Sequence, residues 1–326
     1  MAHEISFNAA GMAEMAYVGE LPWHGLGQEL QKNASIETWQ KQAGMGWVIK
    51  QTPVRYVVAD GEAEMFPNQT VLYRGDNQKP LSIVSGDYHI VQPKEVLEFF
   101  RDMVTGLGME LETAGVLFGG KRFWALANTN NAAEIVKNDK VKGMLLLTSS
   151  CDGKSSTVAQ FTSCRVVCNN TLSIAMNDNN SRIRTTHSSS FDPMDIKSKL
   201  GLLDTSFELF RLQLQELSKA KMTDKEVTDF YYDLVSKPKV LAVDQPASVG
   251  RTVADLMNRY RNGMGAEMSV GTAWGALNGL TEYVSHSGRG VGDHKLWNSW
   301  YGDKAKLNNK GFNNILEMFD IETVTV

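Results

Sequence analysis

The stretch that decides the fold is MELETAGVLFGGKRFWALAN, residues 109–128, followed at 141–166 by VKGMLLLTSSCDGKSSTVAQFTSCRV. Met109–Leu117 and Phe123–Asn128 are strand-like runs flanking Phe118-Gly119-Gly120-Lys121-Arg122, a natural hairpin turn. Val141–Ser150 and Ser155–Val166 form a second pair about Cys151-Asp152-Gly153-Lys154, where Asp-Gly is a strong hairpin signal. Upstream, PKEVLEFFRDMVTGLG opens on Pro93, whose missing N–H costs nothing in a first helical turn. Leu97, Phe100 and Val104 give that helix its apolar stripe, and Gly106 and Gly108 end it. Downstream the chain is expected to turn helical over Cys168–Met176. The order predicted is helix, two hairpins, helix.

Working outward, the first 92 residues read as strand-rich. Trp47–Ile49, Pro53–Val58, Thr70–Arg74 and Leu81–Ser85 have strand composition, and a short helix begins after Ser35, a plausible cap. Asp178–Ser190 (DNNSRIRTTHSSS) carries almost no core-forming residues and is expected to be a mobile loop. Beyond it, Asp195–Lys219 places Leu200, Leu203, Phe207, Phe210, Leu214 and Leu217 at helical spacing. Thr223-Asp224-Lys225-Glu226 is a capping box, and Val253–Tyr260, Thr272–His286 and Lys310–Phe319 continue the helical reading. The fold class expected is α+β: a strand-rich N-terminal half, including the hairpin core, then a mostly helical C-terminal half. The regions expected are 1–92, 93–190 and 191–326.

Hydrophobic residues at 42% and charged residues at 21% are those of an ordinary globular chain. No apolar run approaches the roughly 20 residues of a spanning helix, and the first residues lack the pattern of a secretory leader. Three cysteines, Cys151, Cys164 and Cys168, are an odd number without metal-site spacing, so buried thiols in a reducing cytoplasm are expected. The net charge of -4 does not advertise a polyanion binder. Its distribution is uneven, with eleven Lys and Arg against eight Asp and Glu between Glu110 and Lys199. The centre is basic and the remainder acidic.

Tests for catalysis come back empty. Gly115–Arg122 nearly matches a phosphate-binding loop, but Arg122 stands where a magnesium-holding hydroxyl belongs, and strands flank it on both sides. The six histidines form no metalloprotease pattern, and no nucleophile elbow is present. His286, Asp293 and His294 about a glycine-rich turn give a metal reading, with a solvated loop as the plainer alternative. No cofactor is expected, and binding is favoured over catalysis.

Trp23-His24-Gly25-Leu26-Gly27, Tyr88–Pro93, Cys164–Leu172 (CRVVCNNTL) and Thr272–Val284 resemble a family of phage/plasmid-like proteins carrying a domain of unknown function. The likeness runs in order along most of the chain. It departs at Cys151, where the family leads one to expect histidine. In topology the helix–hairpins–helix order also resembles single-strand annealing proteins. This second resemblance implies rings or filaments that hold DNA in a basic groove, and a cytoplasmic role in a bacterial host.

On that resemblance, Lys121, Arg122, Lys154, Arg165, Asn169, Asn170, Arg182 and Arg184 are the candidate nucleic-acid contacts. Each has a plainer reading: Arg165 as a structural ion pair, the asparagines as helix caps, the turn lysines as solvated charges. Trp124 and Phe161 read as core rather than base-stacking residues, and Trp297 and Trp300 as a half-exposed pair suited to a subunit interface. Three functions follow. The first is single-stranded DNA binding and annealing by a homo-oligomer in phage or plasmid recombination. The second is a non-catalytic partner of a host or phage replication factor, acting through the helical half. The third is a metal-dependent nucleic-acid enzyme.

Overall fold

In the computed structural model, residues 6–8, 10–19, 25–165, 170–173, 182–189, 192–200, 204–236, 246–287 and 292–321 are described. The N-terminal elements are β1 (Met15–Val18), β2 (Gln28–Leu30), α1 (Ile36–Gln42), β3 (Ile49–Val57), β4 (Ala63–Arg74), β5 (Pro80–Ser85) and α2 (Pro93–Leu107). The centre contributes β6 (Glu110–Leu117), β7 (Arg122–Val136), β8 (Asp139–Ser150), β9 (Thr157–Arg165), β10 (Asn170–Ser173) and β11 (Arg182–Thr185). Helices follow: α3 (Pro193–Leu200), α4 (Asp204–Lys219), α5 (Asp224–Val235), α6 (Ala247–Asn262), α7 (Ala273–His286), α8 (Gly292–Tyr301) and α9 (Asp303–Met318). The class is α+β, with strands concentrated in the first half and helices in the second.

The two expected hairpins are consecutive turns of one antiparallel meander, because β7 runs on to Val136 and pairs with β8 as well as with β6. The sheet order is β10-β9-β8-β7-β6-β1-β2, with β11 also on β9. Successive side chains point to opposite faces of a strand. One face presents Val116, Phe123, Ala125, Leu145, Leu147, Ala159 and Phe161 to the main core, against α2 and α4. The other face presents Leu117, Trp124 and Leu146, and α8 covers it with Leu296, Trp297 and Trp300.

Local chemistry sets the helix ends as expected. The Ser35 hydroxyl accepts from the Thr38 N–H at 3.2 Å. The Glu95 carboxylate accepts from the Gln92 N–H at 2.6 Å and opens α2, which ends on a left-handed Gly108. Thr223 and Glu226 cap α5 reciprocally. Gln92 also holds both backbone groups of Ile49, so the start of β3 is tied to the start of α2.

Two expectations fail. Asn170–Ser173 is the strand β10, antiparallel to β9, and not part of a helix. Arg182–Thr185, expected within a loop, is the strand β11 on the same edge of β9. The single helix predicted over 195–219 is described as α3 and α4, with 201–203 outside the described residues.

The N-terminal strands are integral to this sheet. β1 lies between β2 and β6. The buried Glu14 carboxylate receives two hydrogen bonds from Arg74, at 2.7 and 3.0 Å. Arg74 also bonds Asp76 and lies 4.3 Å from the Trp47 ring centre, which anchors the smaller β3-β4-β5 sheet to the larger one.

Candidate nucleic-acid interface

The turns at 118–122 and 151–156 lie side by side at one end of the large sheet. The Cys151 N–H donates to the Lys121 carbonyl at 2.9 Å, and Arg122 Nε donates to Asp152 Oδ2 at 2.7 Å. Asp152 Oδ1 accepts from the N–H groups of Lys154 and Ser155, which fixes the Asp-Gly tip. Lys121 and Lys154 stand exposed on the two tips.

Strand register extends this group. Arg122 pairs with Ser150, and β11 carries Arg182 and Arg184 opposite Gln160 and Val158. Ile183 packs toward the main core, so Arg182 and Arg184 project on the α8 side of the sheet. Arg184 donates to the Ser156 hydroxyl at 2.8 Å, and Arg182 to the Gln160 side chain at 3.1 Å.

Aromatic rings lie among these cations. The Arg122 guanidinium sits 4.2 Å from the Trp297 ring centre and 4.8 Å from Phe118, and Arg182 sits 4.6 Å from Tyr301. Trp297, Trp300 and Tyr301 are half-buried. The Tyr301 hydroxyl bonds Thr148 at 2.7 Å, and burial pushes this phenol up to about 12, so it stays protonated as a hydrogen-bonding anchor for α8. Arg122, Arg182 and Arg184 therefore share the α8 face of the sheet, with Arg122 and Arg182 against its rings, while Lys121 and Lys154 stand exposed on the two turns at the end of that sheet. Planar guanidinium groups stacked on aromatic faces give such a surface both charge and π-area.

Arg165 is placed elsewhere. It lies eight residues from Thr157 along β9, roughly 25 Å at strand rise, and faces the main core. Its Nε and Nη2 each reach an Asp139 oxygen at 2.7 Å, and it donates to the carbonyls of Met264 and Gly265. Trp274 Nε1 donates to the same carboxylate at 2.9 Å. With Arg165 3% exposed and Asp139 0%, the expected phosphate contact is instead a buried ion pair joining sheet to helices. Asn170 sits opposite Arg165 in the ladder, remote from the basic end; Asn169 lies outside the described residues, as do Trp23 and His24.

The near-match to a phosphate loop is a hairpin, as predicted. Gly115 has no phosphate role there: an added Cβ would stand 2.4 Å from Trp124 and 2.7 Å from the Glu14 carbonyl. Cys151 is fully buried, and burial pushes its thiol up to about 12, far from a nucleophile's range. Beside it, Tyr88 stacks on His187 at 4.5 Å, and His187 Nδ1 lies 2.9 Å from the His89 carbonyl. His187 thus latches the residues after β11 to the segment before α2. Asp293 accepts from the Phe118 N–H and His294 packs against the Phe118 ring, so both serve the turn. Among the described residues, no three His, Cys, Asp or Glu side chains are grouped to hold a metal ion.

Sequence reasoning missed Trp297 and Tyr301 as partners of the arginines. Their i,i+4 spacing on α8 was visible; the sheet face they cover was not.

The fold and site together define an α+β protein with a cationic, aromatic-shelved sheet end. Residues 80–312 match the family described as "Domain of unknown function (DUF932)", and the chain belongs to that family. No curated protein and no solved structure matches the chain. Among the described residues, no helix is long and apolar enough to cross a membrane.

Proposed function

We propose that this protein binds single-stranded DNA and anneals it as an oligomer, without nucleotide hydrolysis, in phage or plasmid recombination. The observation that carries the reading is the seating of Arg122 and Arg182 against the half-buried rings of Trp297 and Tyr301, with Arg184 on the same strand as Arg182 and Lys121 and Lys154 exposed on the adjoining turns. Single strands are gripped by cations that track phosphates and by rings on which bases stack, an arrangement tolerant of sequence. A duplex offers phosphates but no free base faces, so the rings favour a single strand. Lys121, Lys154 and Arg184 supply the outer charges; Arg122 and Arg182 position rings and lend charge through them.

The test is fluorescence anisotropy with a labelled oligo-dT across a salt series, followed by annealing of complementary strands. Each phosphate neutralised on a single strand adds about 0.7 to the slope of log K against log salt. The triple variant Lys121→Gln, Lys154→Gln, Arg184→Gln is expected to lower that slope by about 2. Trp300→Ala is expected to weaken binding by about 1–3 kcal/mol if one base stacks there, with little change in slope. Absence of binding at about 50 mM salt, where counterion release is strongest, would end the reading.

A further inference from the structure

The β3–β4 ribbon leaves the body of the protein. The third strand, β5, accompanies it only as far as the Gln69–Ser85 pair. Beyond that, Arg55–Met65, Tyr56–Glu64 and Val57–Ala63 form a two-stranded arm, about 20 Å long from Gln69 to Ala63 at strand rise. A two-stranded ribbon is marginal by itself in water. This one nevertheless exposes Tyr56 (47%), Val57 (71%), Met65 (61%) and Phe66 (49%). Tyr56 and Phe66 meet edge-to-face at 6.3 Å on one side, while Val57 and Met65 project on the other. The tip is tightly turned: Gly61 N–H bonds the Val58 carbonyl and Glu62 N–H bonds Asp60.

Charge identifies what such an arm fits. Between Val54 and Phe66 it carries three carboxylates, Asp60, Glu62 and Glu64, against a single cation, Arg55. Three acids beside apolar and aromatic side chains complement a surface of exposed cations beside aromatic rings. This same chain presents exposed cations at Lys121 and Lys154 on adjoining turns and at Arg184 on β11, at the sheet end where Arg122 lies against Trp297. The arm is not folded onto it within one molecule, since its apolar side chains remain in solvent.

We infer that the arm of one copy docks its acidic tip on the basic sheet end of a second copy. The contact is head-to-tail, because the two patches differ, and so it propagates into rings or chains. Where the basic end also holds a strand, nucleic acid and arm compete for it, and the arm-linked assembly is the resting form. The docking itself stands without the nucleic-acid reading.

The experiment is sedimentation velocity on the full chain over a concentration series, at about 50 mM and about 500 mM salt, chosen to span weak and strong screening. Concentration-dependent association is expected at low salt and its weakening at high salt. Reversing the tip (Asp60→Lys, Glu62→Lys, Glu64→Lys) is expected to weaken association by about 100-fold or more, as is reversing the basic end (Lys121→Glu, Lys154→Glu, Arg184→Glu). Mixing the two variants restores association, because each then meets its complement. All six positions are exposed or on turns, and unchanged circular dichroism confirms folding. A wild-type monomer at every concentration overturns the inference, as does an arm-reversed variant that associates like wild type. Oligo-dT is added last. Dissolution of the assembly supports a shared surface, and binding without dissolution overturns it. Intact association with no oligo-dT binding supports arm docking while sinking the nucleic-acid reading.

Discussion

Replacing Arg165 with methionine separates structure from binding at the position where sequence alone left both open. The guanidinium makes two 2.7 Å bonds to Asp139 and two more to the carbonyls of Met264 and Gly265. Asp139 opens β8, Arg165 closes β9, the carbonyls lie in the turn after α6, and Trp274 begins α7. One charge pair therefore joins the sheet to the helical half. Methionine keeps much of the apolar stem but leaves the Asp139 carboxylate 0% exposed, with the Trp274 N–H at 2.9 Å. Breaking a buried pair on one side costs about 3–5 kcal/mol, since the orphaned charge stays desolvated. Urea unfolding with linear extrapolation is the assay, and the expected loss is in that range at unchanged m. Replacing both partners, Asp139→Leu with Arg165→Met, is expected to recover most of it, as apolar substitutes for buried pairs often do. The folded Arg165→Met protein should keep the wild-type salt slope for oligo-dT. Two results refute the reasoning: a loss under about 1 kcal/mol, the worth of an exposed pair, or a slope reduced by about 0.7, the mark of a phosphate contact.

His187 gives a prediction in pH. Burial holds its imidazole below the ordinary value, so the unfolded chain takes up a proton near pH 6.5 that the folded chain resists. Stability is then full above that pH and falls as acid is added. His187→Asn, which keeps a donor toward the His89 carbonyl but does not titrate, should flatten the decline in Tm between about pH 7.5 and 5.5; parallel curves for the two proteins would refute this. Gly115→Ala should destabilise by about 1–3 kcal/mol through overpacking, because its Cβ would meet Trp124 at 2.4 Å. A neutral result in urea would mean that β1 and β7 separate more readily than their packing implies.

What the sequence disclosed was local. The Asp152-Gly153 turn, the Ser35 and Thr223 caps and the Pro93 start each depend on atoms a few residues apart, and each stands where it was predicted. The failures involve distant partners. Asn170–Ser173 falls within the helix expected over Cys168–Met176, but the edge of β9 claims those backbone groups. Arg182–Thr185 looked like loop because its surroundings are polar; the alternation of exposed Arg182 and Arg184 about Ile183 was the overlooked strand signal. For the site, clustering of Lys121, Arg122 and Lys154 followed from two adjacent turns. Nothing in the local sequence paired Arg165 with Asp139, 26 residues earlier, or placed Tyr301 over Arg182.

The position of β1 has a consequence for dissecting this family. A fragment cut to the matched segment, 80–312, retains the basic turns and every aromatic ring of α8, yet loses Met15, Glu14 and the strand that covers β6. Its raw border would show unsatisfied peptide groups beside Leu117 and Trp124, an invitation to stick to any passing chain. Work confined to the shared segment would then mistake clumping for a natural assembly.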